Sequence, residues 1–147
     1  MSHVRAQIRA RVVEVLTGLA TSGARVFKTR VHPVSPGSLP GLCVYTGAEA
    51  ATGGTLKATT KEVELIIDAY AAGADFDDTA DLMQAEVEEA LFGDWELGRF
   101  FDGIATNLMY SRSDSKFDGE GAVRVGVCRS IYKVEYQTED GNAEVAI

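Results

Sequence analysis

Histidine is scarce in this 147-residue chain: His3 and His32 are the only two, and they lie far apart. A Ser-His-Asp triad or a His-rich metal site needs histidine beside its partners, so neither is expected. Cysteine is equally scarce. Cys43 and Cys128 each sit in a strand-like run, without the CxxC or Cys/His spacing of a zinc site. They read as small buried hydrophobes of a reducing cytoplasm, and a disulfide between them would need their strands to be neighbours. No phosphate-binding glycine loop and no dinucleotide fingerprint occurs. No apolar run approaches the ~20 residues that span a bilayer, and no secretory signal precedes the first helical pattern. The expectation is a soluble protein made in a cytoplasm, with no membrane partner, no metal, no cofactor and no catalytic role.

Positive charge is also short. Fourteen Lys and Arg face 22 Asp and Glu, a net charge of −8, which argues against non-specific nucleic-acid binding by the whole surface. The charge is uneven, however. Arg5, Arg9, Arg11, Arg25, Lys28 and Arg30 crowd the first thirty residues, whereas acids crowd residues 75–102. That asymmetry fits either a solvated mixed surface or a subunit whose basic end attracts the acidic end of a copy. Asp75, Asp77 and Asp78 lack the spacing and glycine of a calcium loop, and favourable charge at a helix start explains them. Asp114 and Asp118 flank a polar hairpin and read the same way.

The length implies one domain with a substantial core. Residues 61–72 hold the longest clean alternation, with Val63, Leu65, Ile67, Ala69 and Ala71 on one face and Glu62, Glu64, Asp68 and Tyr70 on the other, Ile66 among them. Period two means a strand with one buried and one wetter face, here expected at the centre of the sheet. Residues 3–20 carry Val4, Ile8, Val12, Val15, Leu16 and Leu19 at helical steps, with Ser2 as a candidate cap and Gly23 beyond the end. Residues 25–31 and 42–46 read as strands, joined by a loop holding all three prolines. Residues 75–92 repeat a helical stripe through Phe76, Ala80, Met83, Val87, Ala90 and Leu91, stopped by Gly93. Residues 94–103 are expected as a short helical turn on a sheet edge.

Two further strands follow, 104–112 and 122–138, joined by a polar hairpin loop over 113–121. In the last strand Val123, Val125 and Val127 alternate in one phase and Tyr132, Val134 and Tyr136 in the other. A bulge or bend near residues 128–130 would account for the slip. The order α-β-β-β-α-β-β predicts an α+β fold: a mixed, largely antiparallel sheet of about five strands with two main helices packed on one face. Residues 47–60 lack an apolar pattern and contain Gly53 and Gly54. They are expected as a long mobile loop or an extended hairpin arm, the kind of segment that is often functional. Residues 139–147 are expected as a flexible tail after a single domain over 1–138.

Residues 39–49 (Leu-Pro-Gly-Leu-Cys-Val-Tyr-Thr-Gly-Ala-Glu), the polar stretch after them, and Val63-Glu64-Leu65-Ile66-Ile67-Asp68-Ala69-Tyr70 together resemble the lambda-type tail terminator family (minor tail protein U) of long-tailed phages. The opening helix and the closing Tyr132-Lys133-Val134-Glu135-Tyr136 extend the likeness to about residue 138. Related tail-completion proteins of the neck are similar in the same way. The resemblance implies a non-catalytic protein of the virion tail, assembled in the host bacterial cytoplasm. It implies a homo-oligomeric ring, a hexamer, that caps the tail-tube protein, stops its polymerisation and meets a head-completion or connector protein. DNA would pass through such a ring without specific binding.

By position, 47–60 matches the family's mobile loop. The chain departs from the family in its longer polar tail and its added segment 95–101. Residues named for assembly or partner contacts are Gly53, Gly54, Lys57 and Lys61 of the arm, with Arg25, Lys28 and Arg30 of the basic end. A head–tail neck adaptor, and a small cytoplasmic enzyme or ligand-binding domain with a pocket under the proline-rich loop, remain the competing readings.

Overall fold

The computed structural model describes residues 2–32, 36–117 and 125–147. The chain forms α1 (Val4–Leu16), β1 (Val26–Phe27), β2 (Gly41–Thr55), β3 (Ala58–Ala72), α2 (Phe76–Gly93), β4 (Trp95–Glu96), β5 (Arg99–Phe100), β6 (Asn107–Phe117) and β7 (Val125–Glu139). The main sheet has the order β1-β2-β3-β7-β6, and β4 and β5 form a separate two-stranded hairpin. Only β1 runs parallel to its neighbour β2; the other pairs are antiparallel. The architecture is the expected α+β one, and β3 is its central strand.

Alternation decides which face of β3 takes the helices. Val63, Leu65, Ile67, Ala69 and Ala71 lie in the main core with Val4, Ile8, Val12 and Leu16 of α1 and Phe76, Ala80, Met83, Val87 and Leu91 of α2. α1 packs on β1 and β2, and α2 on β3 and β7. One close approach depends on glycine. A Cβ at Gly126 would stand 2.6 Å from the Phe76 ring, which closes the end of the core where α2 begins.

Several elements differ from expectation, each for a local reason. α1 ends at Leu16 rather than residue 20, because Thr17 turns extended and Gly18 follows at φ +94. Its cap is His3, not Ser2: the His3 Nδ1 accepts from the Arg5 amide at 3.1 Å. β1 keeps two residues of the expected 25–31. Residues 94–103 form the β4–β5 hairpin instead of a helical turn. Leu97 and Gly98 both take positive φ there, the geometry of a tight hairpin turn. β6 runs on to Phe117, through most of the expected loop; residues 118–121 of that loop, with Asp118, lie outside the described residues.

The slip in β7 is not a bulge. β7 pairs with β3 without a break from Val125 to Glu139. Cys128, Ser130, Tyr132, Val134, Tyr136 and Thr138 are buried in one continuous phase. Val125 and Val127 simply belong to the opposite face, as does Ile131; Val123 lies outside the described residues. The irregularity sits across the ladder in β6, between Tyr110 and Arg112. The tail is held: Ala146 bridges Thr138, the Ile147 amide donates to the Gln137 carbonyl at 2.8 Å, and the Val4 amide donates to the Ala143 carbonyl at 2.9 Å.

Candidate assembly surfaces

Residues 47–60 are an arm. β2 and β3 stay paired to a two-residue turn at Leu56-Lys57, with Thr55 opposite Ala58. Apart from Glu49 the arm's β2 side is composed of small residues, and residues 50–57 are exposed throughout. Gly53 pairs with Thr60 and Gly54 with Thr59. Gly54 stands at φ +152, and a Cβ there would collide with the Ala58 carbonyl, so the turn requires glycine. Lys57 takes φ +67 at the tip, where its carbonyl accepts from the Asp140 amide at 2.8 Å. Leu56 beside it is 91% exposed. Lys61 lies lower, with its Nζ 5.9 Å from the centre of the Tyr136 ring. The Tyr136 hydroxyl donates to Glu49, which also faces Arg5 at 3.8 Å, so the arm's root is tied to β7 and α1.

The basic residues of the first thirty divide into two groups. Arg25 is committed to the chain's own backbone, donating to the Pro40 carbonyl at 2.6 Å and the Thr21 carbonyl at 2.9 Å. Arg30 donates to the Thr46 carbonyl at 2.6 Å and lies 4.9 Å from the centre of the Tyr45 ring. Arg9 reaches Thr46 Oγ1 at 2.7 Å. Burial, then the neighbouring Arg5 and Arg30, hold the Arg9 guanidinium below its ordinary pKa. Arg5, Arg9 and Arg30 therefore gather along the outer side of β2, and exposed Lys28 follows directly on β1.

The other side of the sheet is acidic. Asp77, Asp78, Asp81 and Glu88 are exposed on α2 and form no ion pair among the described residues, whereas exposed Glu89 lines the groove between α1 and α2. Between α2 and β6 runs an open groove of ≈ 540 Å³, lined by Asp81, Glu88, Tyr110, Ser113 and Ser115 among others. Phe117 and Met109 of β6 are 46% and 53% exposed. The β4–β5 hairpin adds Leu97, 94% exposed, and is anchored by the Arg11 guanidinium on Asp94 at 2.9 and 3.1 Å.

Sequence reasoning missed a polar cluster beneath the segment that leads into the proline-rich loop. Asp68 is fully buried on the helix-free face, which was expected to be wet. It accepts from Arg129 Nε at 3.0 Å and from a second Arg129 nitrogen at 3.3 Å. The Tyr45 hydroxyl donates to it at 2.8 Å and His32 Nε2 at 2.9 Å. The hydrogen bond with Asp68 holds the Arg129 guanidinium above its ordinary pKa. Burial, reinforced by that same carboxylate, pushes the Tyr45 hydroxyl up. The alternation marks Asp68 as outward, and nothing in its own strand signals the cover that His32 supplies.

The adjoining cleft, lined by His32, Asp114, Lys116, Val127 and Arg129, holds ≈ 150 Å³, below the ~300 Å³ from which small-molecule sites start. With four donors on Asp68, the cluster is built to fasten segment 28–32 onto the sheet. The two cysteines are free, because β3 separates the strands that carry them. Among the described residues no three metal-ligating side chains gather, and no helix is long and apolar enough to cross a membrane.

No protein-family model matches the chain, and no curated protein matches it. Among solved structures it is similar to a chain from the virion of a native gene transfer agent particle. The two are 23% identical over 90% of this chain and 92% of that one, with a TM-score of 0.49.

Proposed function

We propose that the chain is a ring-forming structural protein of a phage-type tail: a terminator that caps the tail tube, ends its polymerisation and offers the surface to which the head is joined. The observation that carries this reading is the pairing of an arm and two oppositely charged sides on one small sheet. Residues 47–57 extend past the core as an ordered hairpin, with Leu56 and Lys57 at an exposed turn. A basic flank borders β2 and an acidic helix lies toward β6. A subunit with complementary sides on opposite edges closes into a ring by heterologous contacts. The stretches that carry the family resemblance, 39–49 and 63–70, form the paired halves of β2 and β3, the base from which the arm departs.

The test is tail-tube assembly in vitro. Added to polymerising tube protein, the chain is expected to sit at the tube end as a ring and to hold tubes at finite length by electron microscopy. Tubes that grow undisturbed, with no protein at their ends, would overturn the reading. A neck adaptor differs only in its partner, and binding to connector complexes in the absence of any tube separates the two.

A further inference from the structure

We propose that copies of this chain join edge to edge, with β6 of one copy adding to the outer edge of the β2 arm of the next. This assigns the interface of the self-association proposed above and rests on that reading. Both ends of the main sheet are open among the described residues. β1 covers only Leu42 and Cys43 of β2, and segment 28–32 covers the next few residues through Arg30. From Gly47 to Thr55 the backbone groups pointing away from β3 have no strand beside them. The β6 edge is open likewise over Asn107–Phe117, where the side chains after Leu108 are all exposed. Open edges are templates for pairing, and proteins usually blunt them with lysine or proline. Residues 47–55 contain neither.

The strand directions suit the join. β2, β3, β7 and β6 alternate, so β6 runs opposite to β2. A second copy with the same up–down sense, and its helices on the same face, presents β2 antiparallel to β6. Every added copy then continues one antiparallel sheet with all helices on one side. Across the ladder Asn107 stands level with Glu135, Glu62 and Ala50. Bringing 47–55 opposite 107–117 therefore slides the second copy several residues along the strands, and a sheet that closes on itself requires such a stagger.

Charge selects a second copy as the occupant. The β2 edge is bordered by Arg5, Arg9, Arg30 and Lys28. The β6 strand itself is mixed, with Arg112, Asp114 and Lys116 exposed, but the groove along it carries Asp81 and Glu88 of α2. Joining the edges sets the basic flank of one copy against the acidic α2 of the next, whereas joining two β6 edges sets one acidic α2 beside another. Like-charge juxtaposition disfavours that alternative.

Both edges carry a residue suited to a blocking substitution. Register shifts leave Thr52 with no residue directly opposite it in β3, where only its hydroxyl reaches the Thr60 carbonyl at 3.5 Å, and Ser111 with none opposite it in β7. Proline is found on edge strands and at bulges, and it puts no N–H on the outer edge. Thr52→Pro and Ser111→Pro, each in the full chain, should keep the wild-type circular dichroism and unfolding midpoint. Each alone should be monomeric by light scattering at concentrations where the wild type assembles. An equimolar mixture should stop at dimers, since each variant keeps one intact edge. In the wild-type assembly, amides within 47–55 and 107–117 should exchange about tenfold or more slowly than in the monomer. Rings of wild-type size from either variant, or unchanged exchange at both edges within an assembled ring, would overturn the edge pairing while leaving the ring standing. A wild-type chain that stays monomeric at every concentration, with tail tubes present, would overturn both.

Discussion

Asp68 is the residue where chemistry and architecture meet. It is completely buried, whereas its partner Arg129 has a side chain 46% exposed. The two halves of the pair should therefore respond unequally to removal. Arg129→Ala leaves a buried carboxylate without its cation, and such breaks cost about 3–5 kcal/mol. Asp68→Asn leaves a cation that can reach water, and loses only hydrogen bonds to a charged group, about 1.5–3 kcal/mol. Urea unfolding should rank the variants in that order; equal costs below about 1 kcal/mol would show that the cluster fastens nothing. Alkaline pH probes other buried groups. Burial, then the nearby Asp68 charge, pushes the Cys43 thiol up to about 12, and burial raises Tyr45, Tyr70, Tyr132 and Tyr136. All five are raised in the folded state, so their contribution is intact below the ordinary Cys value near 9. It is lost as pH rises, because the unfolded chain sheds those protons first. Stability by urea titration should be level from about pH 7 to about pH 9 and fall steadily towards about pH 11; a midpoint unchanged over that range would contradict the burial of these groups.

At the scale of the element, the arm is separable from the core. None of residues 47–57 belongs to the core clusters. Excising 52–57 and rejoining the strands with a tight turn should leave a cooperatively folded chain, less stable by about 0.5–1.5 kcal/mol, the size of the Asp140–Lys57 hydrogen bond that is removed. It should abolish capping of tail tubes. Lys57→Glu should weaken tube association with no effect on folding, since its ammonium has no partner among the described residues. Lys61→Glu should weaken association and lower stability slightly, because Lys61 lies over the Tyr136 ring. A shortened protein that fails to fold would make the arm part of the core. The arm also shows what could be read from sequence. The hydrophobic stripes of α1 and α2 and the alternation of β3 were legible because burial imposes a period. The arm carries no apolar period, since none of its side chains enters the core clusters, so its residues gave composition without conformation. β7 misled for the opposite reason: valines on the helix-free face masked an unbroken buried phase built partly from Gly126, Cys128 and Ser130. Asp68 was hidden because a crossing segment, not its own strand, buries it.

For the whole molecule, the distribution of charge sets how copies should meet. The basic flank beside β2 and the acidic α2 toward β6 were visible in sequence only as two clusters of charge separated along the chain. The sheet turns that separation into opposite sides of one body. Attraction between such sides is long-ranged in dilute salt and is screened within about 10 Å at about 0.1 M. Backbone pairing and the burial of Leu56 or Met109 respond weakly to salt. A ring held by both should therefore loosen, not vanish, when salt rises. Light scattering over a wide range of protein concentration should find monomer in equilibrium with one closed species, expected to be a hexamer. Raising salt from about 0.05 to about 1 M should weaken that association several-fold. Replacing Asp81 and Glu88 by lysine should reproduce the weakening at low salt, because it sets cations against cations. Restoring charge on the opposite flank, with Arg9 and Lys28 replaced by glutamate in the same chain, should recover part of it. An association that strengthens with salt would assign the contact to apolar burial alone and would leave the charge asymmetry as a solvated surface.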